Sequence, residues 1–399
     1  MRRRHDPISA PADGKVSAAD GRGAARPKRL WVAAGGKAAV SIIFLLATAQ
    51  RLPLAAESVH CIVTSPPYWG LRDYGLASST WGGQAECGHV WGELQPGDPR
   101  GGSGPNAKEA WIDGGDGTGH GRKTPRGRFC DRCGAWLGCL GLEPSIELYV
   151  QHIVECLREA LRVLREDGTC WLNIGDSYGI GRTKRQSGLK PKDLCMIPHR
   201  VALALQADGW YVRSDIVWAK TNPMPESVLD RPTRAHEYIF LLTKSERYWY
   251  AADAVREPHT ALGRKAGNKS RIYVDRDPLH AATHKLHPGE ENSFHPLGRN
   301  LRDVWSIGAD PYHGAHFATF PRELARRCIL AGCPRGGIVL DPFAGSGTVG
   351  VVALTHGRRA VMLDLKPEYV RLQRERLHDL QLALVPLSPS ELHSIGESV

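Results

Sequence analysis

The feature that most constrains this chain is a glycine-rich turn far along the sequence. Residues Ile338 to Gly350 are typical of a strand, a turn and the start of a helix. Glycines in such a turn let the backbone approach a ligand, and Asp364 at the end of the following strand could hold ribose hydroxyls. Gly345, Gly347 and Gly350 fit the G-x-G-x-x-G pattern, which nicotinamide cofactors also use. A dinucleotide fold needs several strands after this turn, and only one is predicted there, so the other strands must come from upstream.

Helix and strand patterns alternate upstream of the glycine turn. Apolar residues recur at helical spacing after Ser145, which is expected to cap a helix that ends at Gly168. Further helices are predicted over 193–207, 321–331, 346–355 and 367–380, and strands over 59–63, 169–174, 211–220, 237–243, 337–341 and 359–363. This alternation predicts an α/β fold built on one sheet.

The N-terminal residues differ in composition from the rest. Residues 1–37 are rich in Arg, Gly, Ala and Pro and are predicted to form a disordered basic tail, which leaves 38–399 for the folded domain. The apolar stretch 38–49 mimics the core of a secretion signal, but it is too short to cross a bilayer and lies too far from Met1. We therefore expect a buried strand and a turn there, no membrane partner, and a cytoplasmic protein.

The balance of charge favours a polyanionic partner. The 399 residues include 52 Lys and Arg against 42 Asp and Glu, which gives a formal net charge of +10. A solvated basic surface is the alternative interpretation. The 10 cysteines are scattered rather than densely and evenly spaced, which favours a reducing compartment over a secreted disulfide scaffold.

A second stretch with chemical meaning is Thr64 to Trp69, which reads T-S-P-P-Y-W. It follows the predicted strand 59–63, and its two successive prolines stiffen the backbone and remove two amide donors. The result is a platform of hydrogen-bond acceptors, the Ser65 hydroxyl and fixed carbonyl groups, next to the ring of Tyr68. Such a corner suits a flat substrate that carries an amino group, although S-P-P is also an ordinary turn at the end of a strand.

Residues 70–141 are rich in Gly, Pro, Asp and Arg without sustained periodicity, and they are predicted to be an insertion. Within them are four residues with the chemistry of metal ligands, which are Cys87, His89, Cys130 and Cys133. Their C-x-H and C-x-x-C spacing suits one tetrahedral, structural zinc ion that would pin an insertion with little core. Free cysteines in a loop are the alternative, and Cys139 and His120 could substitute as ligands.

Residues 244–314 form a second predicted insertion. Basic and aromatic side chains are interleaved there, namely Arg247, Arg256, Arg264, Lys265, Lys269, Arg271, Arg276, Lys285, Arg299 and Arg302 with Tyr248, Trp249, Tyr250, Tyr273 and Phe294. Cations can contact phosphates and rings can stack on bases, so this composition favours a nucleic-acid contact surface and a target-recognition region. A solvated irregular insertion is the alternative.

These stretches, in this order, resemble one enzyme family. D-P-F-A-G-S-G-T from Asp341, preceded by T-S-P-P-Y-W, resembles the amino-group DNA methyltransferases of the β arrangement, in which the catalytic motif precedes the S-adenosylmethionine motif. The likeness covers most of 52–380 and includes N-I-G-D-S-Y from Asn173, W-A-K-T-N-P-M-P from Trp218, H-E-Y-I-F-L-L from His236 and H-F-A-T-F-P from His316. The fold that it implies is a Rossmann-like mixed sheet of an S-adenosylmethionine-dependent methyltransferase with permuted motif order.

The resemblance also implies a reaction and its residues. A methyl group would pass from S-adenosylmethionine to the exocyclic amine of a base flipped out of double-stranded DNA. The implied catalytic residues are Ser65, Pro66, Pro67 and Tyr68, and the implied cofactor residues are Phe320, Asp341, Phe343, Gly345, Ser346, Gly347, Thr348 and Asp364. Relatives usually carry an acidic residue before the strand at 59–63, where this chain has Ala47-Thr48-Ala49, a departure that bears on cofactor affinity.

Several interpretations stay open on sequence alone. Cytosine N4 is favoured over adenine N6 because Ser65 stands where adenine enzymes more often have Asp. Carbon-5 methylation is disfavoured because no Pro-Cys dipeptide occurs. The alternative of another class is a catalytically inactive, zinc-containing DNA-binding protein. A paired restriction endonuclease stays open, as does the choice between monomer and homodimer.

Overall fold

The structure is a computed structural model that describes residues 42–71, 73–93, 127–179, 189–259, 295–309 and 320–384. The predicted tail over 1–37 lies outside these residues, as do the middle parts of both predicted insertions. The insertions at 70–141 and 244–314 therefore stay predictions.

Within the described residues the chain forms two sheets and five α-helices. The strands are β1 (Ile42–Leu46), β2 (Val59–Thr64), β3 (Ser79–Trp81), β4 (Gly127–Phe129), β5 (Trp136–Gly138), β6 (Leu164–Ile174), β7 (Tyr211–Lys220), β8 (His236–Thr243), β9 (Val304–Ile307), β10 (Ile338–Asp341) and β11 (Arg359–Asp364). The helices are α1 (Ile146–Val163), α2 (Ile197–Ala207), α3 (Arg322–Gly332), α4 (Thr348–Thr355) and α5 (Pro367–Leu384).

The large sheet has 8 strands in the order β1-β11-β10-β2-β6-β8-β7-β9, and β3, β5 and β4 form a separate 3-stranded sheet. Neighbouring strands of the large sheet are parallel except at β8, which is antiparallel to both β6 and β7. The register pairs Val339 with Cys61 and Val63 with Trp171. Because parallel strands share a direction, the residues that follow β1, β11, β10 and β2 lie side by side at one edge.

The core lies on both faces of the large sheet. Successive residues of β6 point to opposite faces, as the period of a strand requires. Leu172 is buried in a cluster with Ile153 of α1 and Leu205 of α2. Its neighbour Trp171 is buried in a second cluster with Leu324 of α3, to which α4 and α5 also contribute. The sheet is thus the middle layer between two sets of helices, which confirms the predicted α/β class.

Helix boundaries differ from those predicted, most of all at the end of α1, at the start of α2 and at the end of α5, which extends to Leu384. The expected cap is present, since the Ser145 side chain accepts a hydrogen bond from the amide of Leu148 at 3.2 Å. Helix α1 nevertheless ends at Val163, because Leu164 is already extended (φ −70°, ψ 135°) and begins β6. Helix α2 begins at Ile197 rather than at 193. Pro198 in its first turn has no amide hydrogen, and its ring would clash with a preceding helical turn.

Sequence periodicity missed four short strands. Three of them, β3, β4 and β5, have 3 residues each, and β9 has 4 residues within the segment that was expected to be irregular. A strand of 3 or 4 residues displays only two or three changes between buried and exposed positions, which is too few for a clear periodic signal.

The apolar stretch near the start of the described residues is an edge strand. Strand β1 pairs in parallel with β11, from Ile42 with Ala360 to Leu46 with Asp364. The expectation of a strand and a turn over 38–49 is therefore confirmed for its described part. The expectation that this strand is buried is wrong, because at the edge of the sheet only Ile42 is buried and Leu46 is 59% exposed. None of the described helices combines the length and the apolar character that crossing a bilayer would require.

Thr169 joins β6 to the end of α3, and its replacement tests the packing of the sheet. The buried hydroxyl donates to the carbonyl oxygen of Gly332 at 3.1 Å and accepts a hydrogen bond from Trp171 Nε1 at 3.1 Å. Thr169→Val keeps the shape but leaves both partners unsatisfied, so the free energy of unfolding should fall by about 1–3 kcal/mol. Urea denaturation measures this change. The matched Thr80→Val, at an exposed strand position, should cost less than about 0.5 kcal/mol. An equal loss of unfolding free energy in the two variants would mean that the buried hydrogen bonds of Thr169 do not stabilise the fold.

Candidate active site

A cavity of about 350 Å³ opens at the edge of the large sheet where the parallel strands end. Most of the residues implied for catalysis and cofactor binding line it, namely Ser65, Pro66, Pro67, Tyr68, Phe320, Asp341, Phe343, Gly345, Ser346, Thr348 and Asp364. The exception is Gly347, which caps α4 with a left-handed φ of 82°. The two motifs therefore meet in one cavity.

The T-S-P-P-Y-W corner is held from behind by α1 and the loop that precedes it. The buried Tyr149 of α1 donates its hydroxyl to the carbonyl oxygen of Pro67 at 2.8 Å. Trp69 Nε1 donates to the carbonyl oxygen of Glu143 at 3.0 Å, and the Gly70 amide donates to that of Gly141 at 2.7 Å. These contacts hold the Pro67 carbonyl group, the Trp69 ring and the Gly70 amide in place.

Tyr68 lies in a hydrogen-bonded network that reaches three other strands. Its hydroxyl donates to the Glu237 carboxylate at 2.6 Å and accepts a hydrogen bond from Ser65 Oγ at 3.2 Å. The same carboxylate accepts hydrogen bonds from Asn173 Nδ2 at 3.1 Å and from Lys220 Nζ at 2.5 Å. Burial, and then the nearby Glu237 carboxylate, raise the pKa of Tyr68 well above its usual value. The phenol is therefore a neutral hydrogen-bond donor near neutral pH.

The ring of Tyr68 has room only because a glycine follows β6. A methyl group added at Gly175 would lie 2.6 Å from a ring carbon of Tyr68. Gly175 belongs to the N-I-G-D-S-Y stretch, so the glycine in that motif has a packing reason in this structure.

The glycine turn is organised by the carboxylate of Asp364. It accepts hydrogen bonds from the amides of Gly345 and Lys366, each at 2.9 Å. From α5, Gln373 Nε2 donates to the carbonyl oxygen of Gly345 at 2.9 Å. Gly345 has a left-handed φ of 49°, and a methyl group added there would meet nothing within 4 Å. The turn thus presents bare backbone to the cavity.

Asp341 connects the two motifs. Its Oδ1 accepts hydrogen bonds from Thr64 Oγ1 at 2.7 Å and from the Phe343 amide at 3.1 Å. Burial raises the pKa of this carboxyl group to about 7. Burial also raises the pKa of Asp364. A buried carboxyl group, Asp341, and a half-buried one, Asp364, beside a cavity suit a ligand that carries positive charge and hydroxyl groups.

These donors and acceptors fit S-adenosylmethionine. A carboxylate such as Asp364 can accept hydrogen bonds from ribose hydroxyls, and the rings of Phe320 and Phe343 can contact a flat base. Asp341 offers negative charge for a cationic centre. At the usual acidic position, Ala47, Thr48 and Ala49 also line the cavity, and the Gln50 amide donates to Thr48 Oγ1 at 3.2 Å.

The predicted zinc ligands lie together outside the cavity lining. One ligand atom from each of Cys87, His89, Cys130 and Cys133 falls within 4.8 Å of all the others. Cys139 instead lines the cavity and donates its thiol to the carbonyl oxygen of Leu76 at 3.2 Å. The other suggested substitute, His120, lies outside the described residues.

Three of the four described cations of the predicted nucleic-acid surface, Arg256, Arg299 and Arg302, are paired within the protein. Arg299 and Arg302 donate to the Glu257 carboxylate at 3.1 and 2.9 Å. Arg256 donates to Asp253 at 2.6 Å, and Tyr250 packs against the core. The six cations and two rings between 260 and 294 lie outside the described residues. The nucleic-acid surface over 244–314 stays a prediction.

Sequence reasoning did not single out three polar residues of the cavity, Asn173, Lys220 and Glu237. Each lies at or near the end of a strand and within a stretch that carries the family resemblance. The signal was therefore present as a polar residue at the edge of a predicted sheet, but isolated polar residues are common in strands.

Known proteins resemble this chain over most of its length. Residues 59–375 match the family profile N6_N4_Mtase, described as DNA methylase. The Type II methyltransferase M.Cfr9I of Citrobacter freundii is 39% identical over 350 residues, which cover 83% of this chain and 85% of that protein. The Type II methyltransferase M.SmaI of Serratia marcescens is 38% identical over 342 residues, which cover 81% of this chain and 86% of that protein. Among solved structures, PvuII DNA methyltransferase (cytosine-N4-specific) is similar with a TM-score of 0.48 and 14% identity, over 89% of this chain and 91% of that one. The chain therefore belongs to the N6/N4 DNA methylase family.

Proposed function

We propose that this DNA methylase transfers a methyl group from S-adenosylmethionine to the exocyclic amine of a flipped base in double-stranded DNA, with cytosine N4 as the target. The proposal rests on the fact that the T-S-P-P-Y-W corner and the glycine turn line the same cavity. Ser65 and Tyr68 follow β2, and Asp341 ends the adjacent strand β10. An acceptor platform for an amine and a carboxylate for a cation are thus next to each other.

On the cofactor side, the chain supplies hydrogen bonds and charge. Asp364 would accept hydrogen bonds from ribose hydroxyls, Phe320 and Phe343 would contact the adenine ring, and Asp341 would supply negative charge for the sulfonium. When bound, the cofactor supplies an electrophilic methyl group attached to a sulfonium sulfur. The glycine turn contributes by leaving its backbone bare at Gly345.

On the substrate side, the chain orients a weak nucleophile. The lone pair of an exocyclic amine is delocalised into the base, which makes the nitrogen unreactive. Ser65 Oγ and the Pro66 carbonyl oxygen accept the two amine hydrogens, so the nitrogen becomes pyramidal and its lone pair becomes available for an in-line displacement. Tyr68 stacks on the flipped base.

A chain of hydrogen bonds can carry away the proton that the methylated nitrogen must lose. Ser65 Oγ donates to Tyr68 Oη at 3.2 Å, and Tyr68 Oη donates to Glu237 at 2.6 Å. Ser65 takes the proton from the nitrogen and gives its own hydroxyl proton to Tyr68. Tyr68 in turn gives its hydroxyl proton to the Glu237 carboxylate. Lys220 Nζ, at 2.5 Å from the other Glu237 oxygen, balances the negative charge beforehand.

The choice of cytosine rests on Ser65. Adenine enzymes more often carry Asp at this place in the motif. The serine side chain is shorter than that of Asp and carries no charge. Incubating DNA with the purified enzyme and separating the nucleosides after digestion tests the choice. N4-methylcytosine is the expected product, and N6-methyladenine alone would assign the enzyme to the other target of the family.

The names of the relatives extend the proposal to site-specific, Type II modification, with a restriction endonuclease as the natural partner. We assign target recognition to 244–314 and a structural Zn²⁺ to Cys87, His89, Cys130 and Cys133. None of those four side chains lines the cavity, so the transfer chemistry is assigned to the cavity residues alone. Sequencing the methylome of cells that express the chain would identify the recognition site.

Variants of Ser65 and Tyr68 separate the roles in the acceptor corner. Ser65→Ala and Tyr68→Ala should reduce methylation at least about a thousandfold, because orientation and stacking are lost, while S-adenosylmethionine still binds. Tyr68→Phe keeps the ring and breaks the chain to Glu237, so we expect a loss of about ten- to a hundredfold in kcat with little change in KM.

The matched control is Tyr211→Phe, at a side chain that is 45% exposed on β7 and outside the cavity lining. It should keep full activity. Methyl transfer from labelled cofactor measures all four variants, and calorimetry measures cofactor binding. Full activity in both alanine variants would mean that 64–69 is only a turn.

The raised pKa of Asp341 predicts a pH dependence of cofactor affinity. With a pKa of about 7, the carboxyl group gains its charge as the pH rises from 6 to 8. A sulfonium cation favours the charged form, so S-adenosylmethionine should bind about tenfold more tightly at pH 8 than at pH 6.

S-adenosylhomocysteine is the control ligand, because it keeps the amino and carboxyl groups and lacks the sulfonium charge. Its affinity should change less over this range. Asp341→Asn, which still accepts the hydrogen bond from Thr64, should remove the difference between the two ligands. An unchanged difference in that variant would rule out Asp341 as the titrating group.

A further inference from the structure

We propose that Cys87, His89, Cys130 and Cys133 bind one Zn²⁺, and that this metal holds the small sheet in place as a wall of the cofactor cavity. The four ligands belong to a unit that we call the Cys/His module, formed by residues 79–93 and 127–138. Zinc binding at this site does not depend on the proposed function, whereas the effect of the metal on cofactor binding does.

Two of the six distances between the ligand atoms are close to those of a tetrahedral zinc site, and all four atoms lie within 4.8 Å of one another. Cys87 Sγ lies 3.9 Å from Cys130 Sγ, and Cys133 Sγ lies 3.4 Å from His89 Nδ1. Bond lengths of about 2.3 Å to sulfur and about 2.05 Å to nitrogen at tetrahedral angles place two sulfurs about 3.8 Å apart and a sulfur and a nitrogen about 3.6 Å apart. Three thiols and one imidazole form the closed donor set of structural zinc, and soft thiolates disfavour Mg²⁺ and Ca²⁺.

Backbone hydrogen bonds join the two segments that carry the ligands. Trp91 and Cys130 form an antiparallel bridge, and the Asp131 amide donates to the carbonyl oxygen of Val90 at 2.8 Å. In the turn that carries Cys130, the Gly134 amide donates back to the Cys130 carbonyl at 2.9 Å with a left-handed φ of 71°. The ligands therefore approach each other through a defined backbone rather than through chance contacts of side chains.

The module has a small core. Its strands have 3 residues each, and its buried cluster combines Trp81 and Trp136 with Ala49 and Cys156 from outside the module. A sheet this small needs additional stabilisation, which a metal can supply.

The module reaches the cavity through Trp81. This side chain is 4% exposed, lines the cavity and lies in the cluster against which the cavity residue Phe343 packs. Two residues further on, a methyl group at Gly83 would lie only 2.9 Å from Cys133 Sγ. The segment that follows the strand of Trp81 is therefore packed directly against the metal loop.

The module is also joined to the helix behind the acceptor corner. His152 of α1 stacks on Trp81 and on Trp136, with ring centroids 4.7 and 5.3 Å apart. Its Nδ1 lies 3.0 Å from a carboxylate oxygen of Glu143, and both side chains are buried. The carbonyl oxygen of Glu143 in turn accepts the hydrogen bond from Trp69. Packed rings and hydrogen bonds thus connect the metal site to both parts of the cavity.

Metal content of the purified full-length protein tests the site. Elemental analysis should find about one zinc per chain in the wild type, as four ligands predict, and less than about one tenth in Cys130→Ser/Cys133→Ser. The control is Cys328→Ala, which removes a buried thiol of α3 outside the cluster and should keep its zinc. Absence of zinc from the wild type, or full zinc in the double variant, would overturn the site.

Cobalt substitution repeats the test without a variant that could misfold. Wild-type protein depleted of zinc and loaded with Co²⁺ should show the intense visible absorption of tetrahedral thiolate coordination, and excess Zn²⁺ should remove it. A spectrum typical of octahedral cobalt would overturn the ligand assignment.

Calorimetry with S-adenosylmethionine tests the effect on the cavity. The Kd should rise by about tenfold or more in zinc-depleted wild type, because binding must then order the wall, and zinc addition should restore it. An unchanged Kd after zinc loss would overturn the effect on the cavity. If zinc-loaded wild type bound no cofactor, the proposed function would fail, while the zinc measurement would stand.

Discussion

The hydrogen bond from Thr64 to Asp341 is the interaction on which the active-site edge depends. Its donor and acceptor are 277 residues apart in the chain and 2.7 Å apart in space, at the ends of adjacent parallel strands. Both residues are buried, with exposures of 0% and 5%. A buried carboxyl group without partners is costly, so this bond and the one from the Phe343 amide stabilise Asp341 where a ligand cation can reach it. The same bond holds the first residue of the T-S-P-P-Y-W corner next to the residue that precedes the glycine turn.

The reversed strand β8 completes the other half of the cavity. Because β8 runs against its neighbours, its first residues rather than its last lie at the edge where the parallel strands end. Glu237 therefore meets Lys220, from the end of β7, and Tyr68, which follows β2. In an all-parallel sheet, the first residues of this strand, including Glu237, would lie at the opposite edge. The mixed topology is thus a requirement of the polar network and not an incidental property of the fold.

The Cys/His module shows how an irregular segment can become part of a precise cavity. Its residues have little periodicity, so its shape depends on contacts with α1 and on the backbone hydrogen bonds between its two segments. Trp81 and Trp136 enclose His152, whose partner Glu143 is also buried. Burial raises the pKa of Glu143, and the contact with His152 opposes that effect. A buried pair of this kind favours one arrangement of the module over others that would separate the two groups.

The α/β class, most long helices and strands, the Ser145 cap, both motifs and the four metal-ligand candidates could all be predicted from the amino-acid sequence. These features are local, because strand and helix periods, prolines and ligand spacing are properties of neighbouring residues. Only the tertiary structure decided that Glu237, Lys220 and Asn173 meet Tyr68, since isolated polar residues in strands have no periodic signal. It also decided where α1 and α2 begin or end and which short strands form. The physical reason is that strand pairing and burial join residues far apart in the chain, and no local pattern contains that information.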